Sequence, residues 1–353
     1  MSRPRVLGAA AGLVIAAGLI AAPLALKPYG IYILTLWAVT TVAAIGLNLT
    51  LGYAGQVSLA QGAFVGIGAY AAALLTTHGW PLGSAYVVAG VMCFAIGWVL
   101  GYPALRVQHH YLAFVTLAFS TLLYLVFRNE EWITGGIYGL SNIPRPGLFG
   151  YLLRSPRDFY YFCLANLALV SLATWWLIRS PWGRAFVALR ENPVRALSLG
   201  VDTRRYTLMA FALGAGLGGI SGVLYAPLVQ YIDPTPFSLL LSLNLLLMVI
   251  VGGSGYFFGP FVGAVVAVLL PEWIQSADKM YDALGPLGDA LRTVLPGDAL
   301  KYVAKHYLVA YAIFVMVLLV FSPSGIIGFF ERRFTAPRKA GPPPSPTAEP
   351  KVA

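Results

Sequence analysis

Ten apolar stretches divide this chain, each close to the about 20 residues that a helix needs to cross the hydrocarbon core of a bilayer. They run over residues 9–26, 31–51, 57–77, 84–104, 111–127, 159–178, 206–230, 238–253, 258–274 and 306–322. Backbone polar groups in lipid must find partners without water, so the expected fold is all-α, a polytopic helical membrane protein of about ten spans. Composition agrees: 10% of the residues are charged and 59% are hydrophobic, whereas a soluble domain carries about 25% charge. The net charge of +10 does not point to nucleic acid. Its Lys and Arg residues sit in loops flanking the apolar stretches, as membrane topology distributes them. Cys93 and Cys163 fall inside apolar runs without metal-ligand spacing and read as packing residues.

An even number of spans puts both termini on one side. Arg3 and Arg5 precede the first stretch, and Arg332, Arg333, Arg338 and Lys339 follow the last. Both ends are therefore assigned to the cytoplasm of a multi-pass plasma (inner) membrane protein. Residues 179–205 then fall inside as well. This polar island sets Arg179, Arg184, Arg190, Arg195, Arg204 and Arg205 against only Glu191 and Asp202. The loop at 272–305 falls outside. So does the loop at 128–158, which fits less well because it holds Arg128, Arg145, Arg154 and Arg157; the charge rule weakens for longer loops. The first stretch shares a basic start and small residues with secretory signals, but its removal would break the parity. Residues 1–330 thus read as one transmembrane domain, and the proline-rich segment 331–353 as a disordered cytoplasmic tail.

Several chemistries have no carrier here. No Asp, Glu, Lys or Arg lies deep in a span, which weighs against proton-coupled transport. No lysine follows a glycine, so a phosphate-binding loop is absent and the chain has no ATP site of its own. His109 and His110 stand beside Arg106 without a carboxylate or Cys at ligand spacing and read as interfacial. Neither metal nor cofactor is expected, and no reactive constellation supports a membrane enzyme.

Four motifs carry physical content. In Asn48–Tyr70, the polar residues Asn48, Gln56, Ser58 and Gln61 are interspersed with five glycines. Gly52 and Gly55 look like a helix break followed by a new helix start, and a half-helix N-terminus at membrane depth suits an anionic group. The four polar residues are candidates for a substrate path; close helix packing through Gly62 and Gly66 is the competing reading. In Phe211–Gly222, Gly214, Gly218 and Gly222 recur every four residues and form a helix-packing face. Val251–Pro260 reads as a tight turn on the cytoplasmic side. Within the arginine island, Asn192-Pro193 separates two short helices, which would present an apolar centre with a charged rim. That anatomy suits a protein interface; a helix resting on anionic lipid is the alternative.

Taken together, these segments resemble one family. GLNLTLGYAGQVSLAQGAFVGIGAY, YLAFVTLAFSTLLYLVFRN with TGGIYGL, GRAFVALRENPVRALSLGVDTRRYTLMAFALGAGLGGISGVLYA, IVGGSGYFFGPFVGAVVAVLLPEW and FSPSGIIG are similar to the LivM-type permeases of branched-chain amino acid ABC importers. The similar pieces occur in the family's order and cover most of residues 40–330. The resemblance implies an ABC importer permease fold and three kinds of partner besides membrane lipid: a second homologous permease subunit, two cytoplasmic ATP-binding subunits and an extracytoplasmic substrate-binding protein. It implies that Gly183–Gly200 meets an ATPase, with Gly183, Arg184, Arg190, Glu191, Asn192 and Gly200 as coupling residues. His109-His110 and TGGIYGL depart from the family pattern. Related permeases carry urea, short amides or other carboxylates, so these substrates stand beside branched-chain amino acids. A stand-alone channel or secondary carrier would need none of these partners.

Overall fold

The computed structural model describes residues 17–24, 26–104, 109–148, 151–153, 155–275, 307–322 and 324–334. Six of its helices are long and apolar enough to cross a membrane: Pro28–Tyr53, Leu82–Tyr102, Leu112–Asn129, Pro156–Arg179, Thr203–Val229 and Tyr311–Phe329. Three apolar helices are shorter, Gln61–Thr77, Leu239–Gly252 and Gly259–Glu272. In chain order the helices are α1 (Pro28–Leu47), α2 (Gln61–Thr77), α3 (Leu82–Ala104), α4 (His109–Asn129), α5 (Glu131–Thr134), α6 (Pro156–Arg179), α7 (Pro181–Glu191), α8 (Pro193–Ser198), α9 (Thr203–Val229), α10 (Leu239–Gly252), α11 (Gly259–Ala264), α12 (Leu270–Gln275), α13 (Tyr307–Phe321) and α14 (Gly325–Phe334). A π-helix over Asn48–Tyr53 prolongs α1, and another over Val265–Leu269 joins α11 to α12. The only strands among the described residues are a two-residue antiparallel pair, β1 (Gly147–Leu148) with β2 (Tyr151–Leu152).

α1 and α9 form the centre. In each, 72% of the apolar window is buried, against 22–28% in α3, α4 and α6. Glycine makes this crowding possible, because lipid supplies no hydrophobic force and helices gain by close van der Waals contact. A Cβ at Gly214 would lie 2.7 Å from the Gly46 carbonyl of α1, and one at Gly218 would lie 3.0 Å from Phe64 Cβ of α2. A Cβ at Gly222 would collide with the Val65 carbonyl of α2. On another side of α9, a Cβ at Gly219 would meet Cys93 and Ala89 of α3. Buried hydroxyls and amides reach across as well: Ser221 donates to the Val39 carbonyl at 2.8 Å.

Contacts between segment ends sort the molecule into two faces. At one, Tyr102 of α3 stacks under Arg204 at 4.6 Å, the α7 residue Arg190 reaches Gly52, and Gly253 after α10 packs on Ser324 and Gly325 before α14. At the other, Tyr29 donates to Glu272 at 2.6 Å, Leu140 bridges Ile232, and Tyr160 and Tyr161 donate to the carbonyls of Leu19 and Ile20. These six long and three shorter apolar helices answer to nine of the ten stretches read from the sequence, and the start of the first stretch lies outside the described residues.

Three boundaries move. The stretch expected to be helical from residue 57 begins at Gln61, after a non-helical Gln56–Ala60. α12 continues to Gln275, inside the segment expected as a loop from 272, and α14 continues to Phe334, inside the segment expected as tail from 331. The rest of that loop, the remaining tail, and residues 1–16, which include the start of the first stretch, lie outside the described residues, and residues 17–24 of that stretch are helical.

Candidate functional site

The arginine island folds as a capped elbow. Ser180 Oγ accepts from Trp182 N at 3.2 Å and Pro181 occupies the first turn, which starts α7. Gly183 is buried where a Cβ would collide with the Ile178 carbonyl, so only glycine lets α7 fold back against α6. Asn192 ends one helix and starts the next. Its N–H donates to the Ala188 carbonyl, and its Oδ1 accepts from Arg195 N at 3.0 Å. α8 closes on Gly200, at φ +83°, with Val201 N bonded to the Ala196 carbonyl and Gly200 N to the Leu197 carbonyl, both at 3.0 Å. That is the paired closure of a helix on a left-handed residue, which glycine adopts without strain. Asp202 then caps α9 through Arg205 N at 3.1 Å and pairs with the Arg205 guanidinium at 2.9 Å.

The elbow has two different faces. Inward, Phe186 is fully buried in a small cluster with Leu49, Tyr53, Ala54 and Ala210. Tyr206 meets Phe186 edge-on at 6.3 Å and Trp182 at 5.9 Å. Arg190 is exposed at the edge of this face and donates Nη1 to the Gly52 carbonyl. Outward, Val194, Leu197 and Leu199 are 77%, 61% and 82% exposed, with Arg184, Glu191 and Arg195 exposed beside them. Apolar side chains this bare within a charged surround mark an interaction surface.

The four polar residues of the first motif lie near the break. Gln61 Nε2 donates to the carbonyls of Ala43 in α1 and Gly214 in α9, both at 3.1 Å. Ala43 lies ten residues before Tyr53, so α2 starts roughly 10–15 Å up from the end of the first helix, at membrane depth. Its first N–H groups are met by hydroxyls: Leu59 N by Thr116 Oγ1 at 3.0 Å, Ala60 N by Ser58 Oγ at 3.3 Å, and Gly62 N by Ser242 Oγ at 2.9 Å. Asn48 binds the turn after α10, donating to the Tyr256 carbonyl at 3.0 Å and accepting from Gly255 N at 2.9 Å. The amides of Asn48 and Gln61 are thus engaged by backbone groups. Gln56 differs: Nε2 donates to the Thr207 carbonyl at 3.3 Å, while its buried Oε1 has no hydrogen-bond partner among the described residues. Thr116 and Ser242, and the buried, unpartnered Ser120 hydroxyl, went unremarked in the sequence. A lone hydroxyl in an apolar helix is their only signal there. Among the described residues no group of His, Cys, Asp or Glu could hold a metal ion.

Residues 29–318 match the family described as branched-chain amino acid transport system / permease component. The chain belongs to this permease family. It is 35% identical over 272 residues to the high-affinity branched-chain amino acid transport system permease protein LivM of Escherichia coli, covering 70% of this chain and 64% of that protein. The probable LivM of Methanocaldococcus jannaschii is 26% identical over 246 residues, with 69% and 67% covered. The permease protein LivH of Escherichia coli is 23% identical over 315 residues, with 83% and 92% covered. The match thus spans just under two thirds of the Escherichia coli LivM relative's length. No solved structure matches. Membership identifies the glycine-lined helices described above as parts of a membrane permease.

Proposed function

We propose that this permease is a transmembrane subunit of an ATP-binding cassette importer that moves branched-chain amino acids across the plasma membrane. It would work with a second homologous permease subunit, two cytoplasmic ATPases and an extracytoplasmic substrate-binding protein. The observation that carries this reading is the two-faced elbow. Its inner face is keyed into α1 and α9 by Phe186, while its outer face leaves Val194, Leu197 and Leu199 bare. Such a part takes a push from outside and hands it to the membrane helices. Arg184, Glu191 and the exposed apolar trio would meet the ATPase. Gly183, Asn192 and Gly200 would fix the elbow's shape. Gln56, Ser58 and the hydroxyls at the start of α2 would border the substrate path, and Gly214, Gly218 and Gly222 the helix packing around it.

Leu197→Asp, made because Leu197 is exposed at the centre of that face, should abolish co-purification of the ATPase subunits while the permease still inserts. Undiminished co-purification would sink the docking role. Uptake by proteoliposomes holding all subunits, competed with leucine, isoleucine, valine, urea and short amides, tests the substrate. Competition by urea or amides rather than the branched amino acids would reassign it within the family. Uptake by this chain alone, without ATP, would replace the importer reading with a stand-alone carrier.

A further inference from the structure

Three segments far apart in sequence meet on two facing glycines beside the elbow. Arg190 donates to the Gly52 carbonyl. Asn48, one turn before Gly52 on the same helix face, holds both polar groups of the α10–α11 turn, the Tyr256 carbonyl and Gly255 N. Neither glycine tolerates a side chain. A Cβ on Gly52 would run into the Asn48 amide and Gly255 N, and one on Gly255, at φ +85°, into the Arg190 guanidinium and the Gly52 carbonyl. The guanidinium therefore sits at the C-terminal end of the first helix, where carbonyls lack intrahelical donors and the helix dipole favours a cation. Over this same stretch the helix is of the π type, Asn48–Tyr53, a wider turn that is rare and gathers at functional places.

We infer that Arg190 and Asn48 are positioning residues of a strut that makes the elbow, the π end of α1 and the α10–α11 turn move as one unit. This rests on the reading of the elbow as the part that receives an ATPase. Phe186 alone could not do the job. A hydrophobic contact is non-directional and lets the elbow slide, whereas the charged bond from Arg190 and the two-point grip of Asn48 fix its register. The strut carries an elbow displacement into two membrane helices at once, α1 directly and α10 through its C-terminal turn. It gives the exposed Arg190 a bond into the membrane body besides its place on the elbow, and it gives Asn48 a mechanical role.

Two measurements test it. Hydrogen exchange on the full-length chain purified in detergent compares wild type with Arg190→Met, which keeps the length of the side chain and removes the donors. Exchange should quicken about tenfold at the amides of residues 49–56 and also at residues 254–256, which Arg190 does not itself bond. A change confined to 49–56 overturns the strut. In the assembled importer, Arg190→Met should keep its ATPases yet raise the ATP consumed per substrate moved by about fivefold. Arg190→Lys, with a donor retained, should restore most of the coupling. An unchanged ratio in Arg190→Met overturns the strut and leaves the docking reading standing. A wild-type permease that binds no ATPase sinks the docking reading, while the exchange result still decides the strut.

Discussion

Gln56 is the residue whose surroundings ask most. Its side chain is 5% exposed, one amide atom is bonded to the Thr207 carbonyl, and the other, Oε1, has no hydrogen-bond partner among the described residues. A buried acceptor left bare weakens a fold, so under the proposed function this oxygen is a candidate to accept a hydrogen bond from substrate. Gln56→Met removes the bare acceptor and keeps the volume. Its thermal stability should stay within about 1 kcal/mol of wild type, while uptake in the assembled importer should fall several-fold. Full uptake at unchanged stability would take Gln56 out of the path. The sequence marks Asn48, Gln56, Ser58 and Gln61 as polar groups that need partners in lipid. It cannot say which partners, because Tyr256, Thr207 and Gly214 lie more than 150 residues away along the chain, and only the packed fold brings them near.

At the scale of elements, the elbow was legible because its signals are local. Asn192-Pro193 acts within one turn of itself and reads as the joint, and the structure uses Asn192 as that cap; Ser180-Pro181 and Gly200 act as locally but are not among the caps expected from the sequence. The start of α2 was not legible to the residue. Val57–Ala60 is mostly apolar, and the N–H groups of Leu59, Ala60 and the following Gly62 are held by Thr116 of α4, Ser58 and Ser242 of α10, hydroxyls that no local pattern announces. Asn192 is the element-level test. It joins α7 to α8, and α8, six residues long, cannot hold its shape by propensity alone. Asn192→Ala should cost the elbow about 1 kcal/mol. That loss should read out as faster protease cleavage between residues 192 and 200, with cleavage elsewhere unchanged. Cleavage no faster than in wild type would mean that packing, not the cap, holds α8.

At the scale of the whole molecule, the two faces found from contacts answer a difficulty that loop charges alone left open. Arg128, Arg145 and Arg157 sit on the face away from the elbow, where cations were not expected. The fold brings Glu130, Glu131, Asp158, Asp233 and Glu272 to that same face, two of them from segments remote in sequence. The elbow face gathers Arg179, Arg184, Arg190, Arg195, Arg204 and Arg205 around only Glu191 and Asp202. The excess of positive charge is therefore a property of a face rather than of single loops, which supports the proposed orientation with the elbow in the cytoplasm. Both native cysteines, Cys93 and Cys163, are fully buried, so single exposed cysteines can be labelled against a quiet background. In intact cells a membrane-impermeant maleimide should label Trp132→Cys, 82% exposed on the far face, and should miss Ser198→Cys on the elbow until the membrane is opened. Labelling of Ser198→Cys from outside would invert the molecule, and no cytoplasmic ATPase could then reach Val194, Leu197 and Leu199.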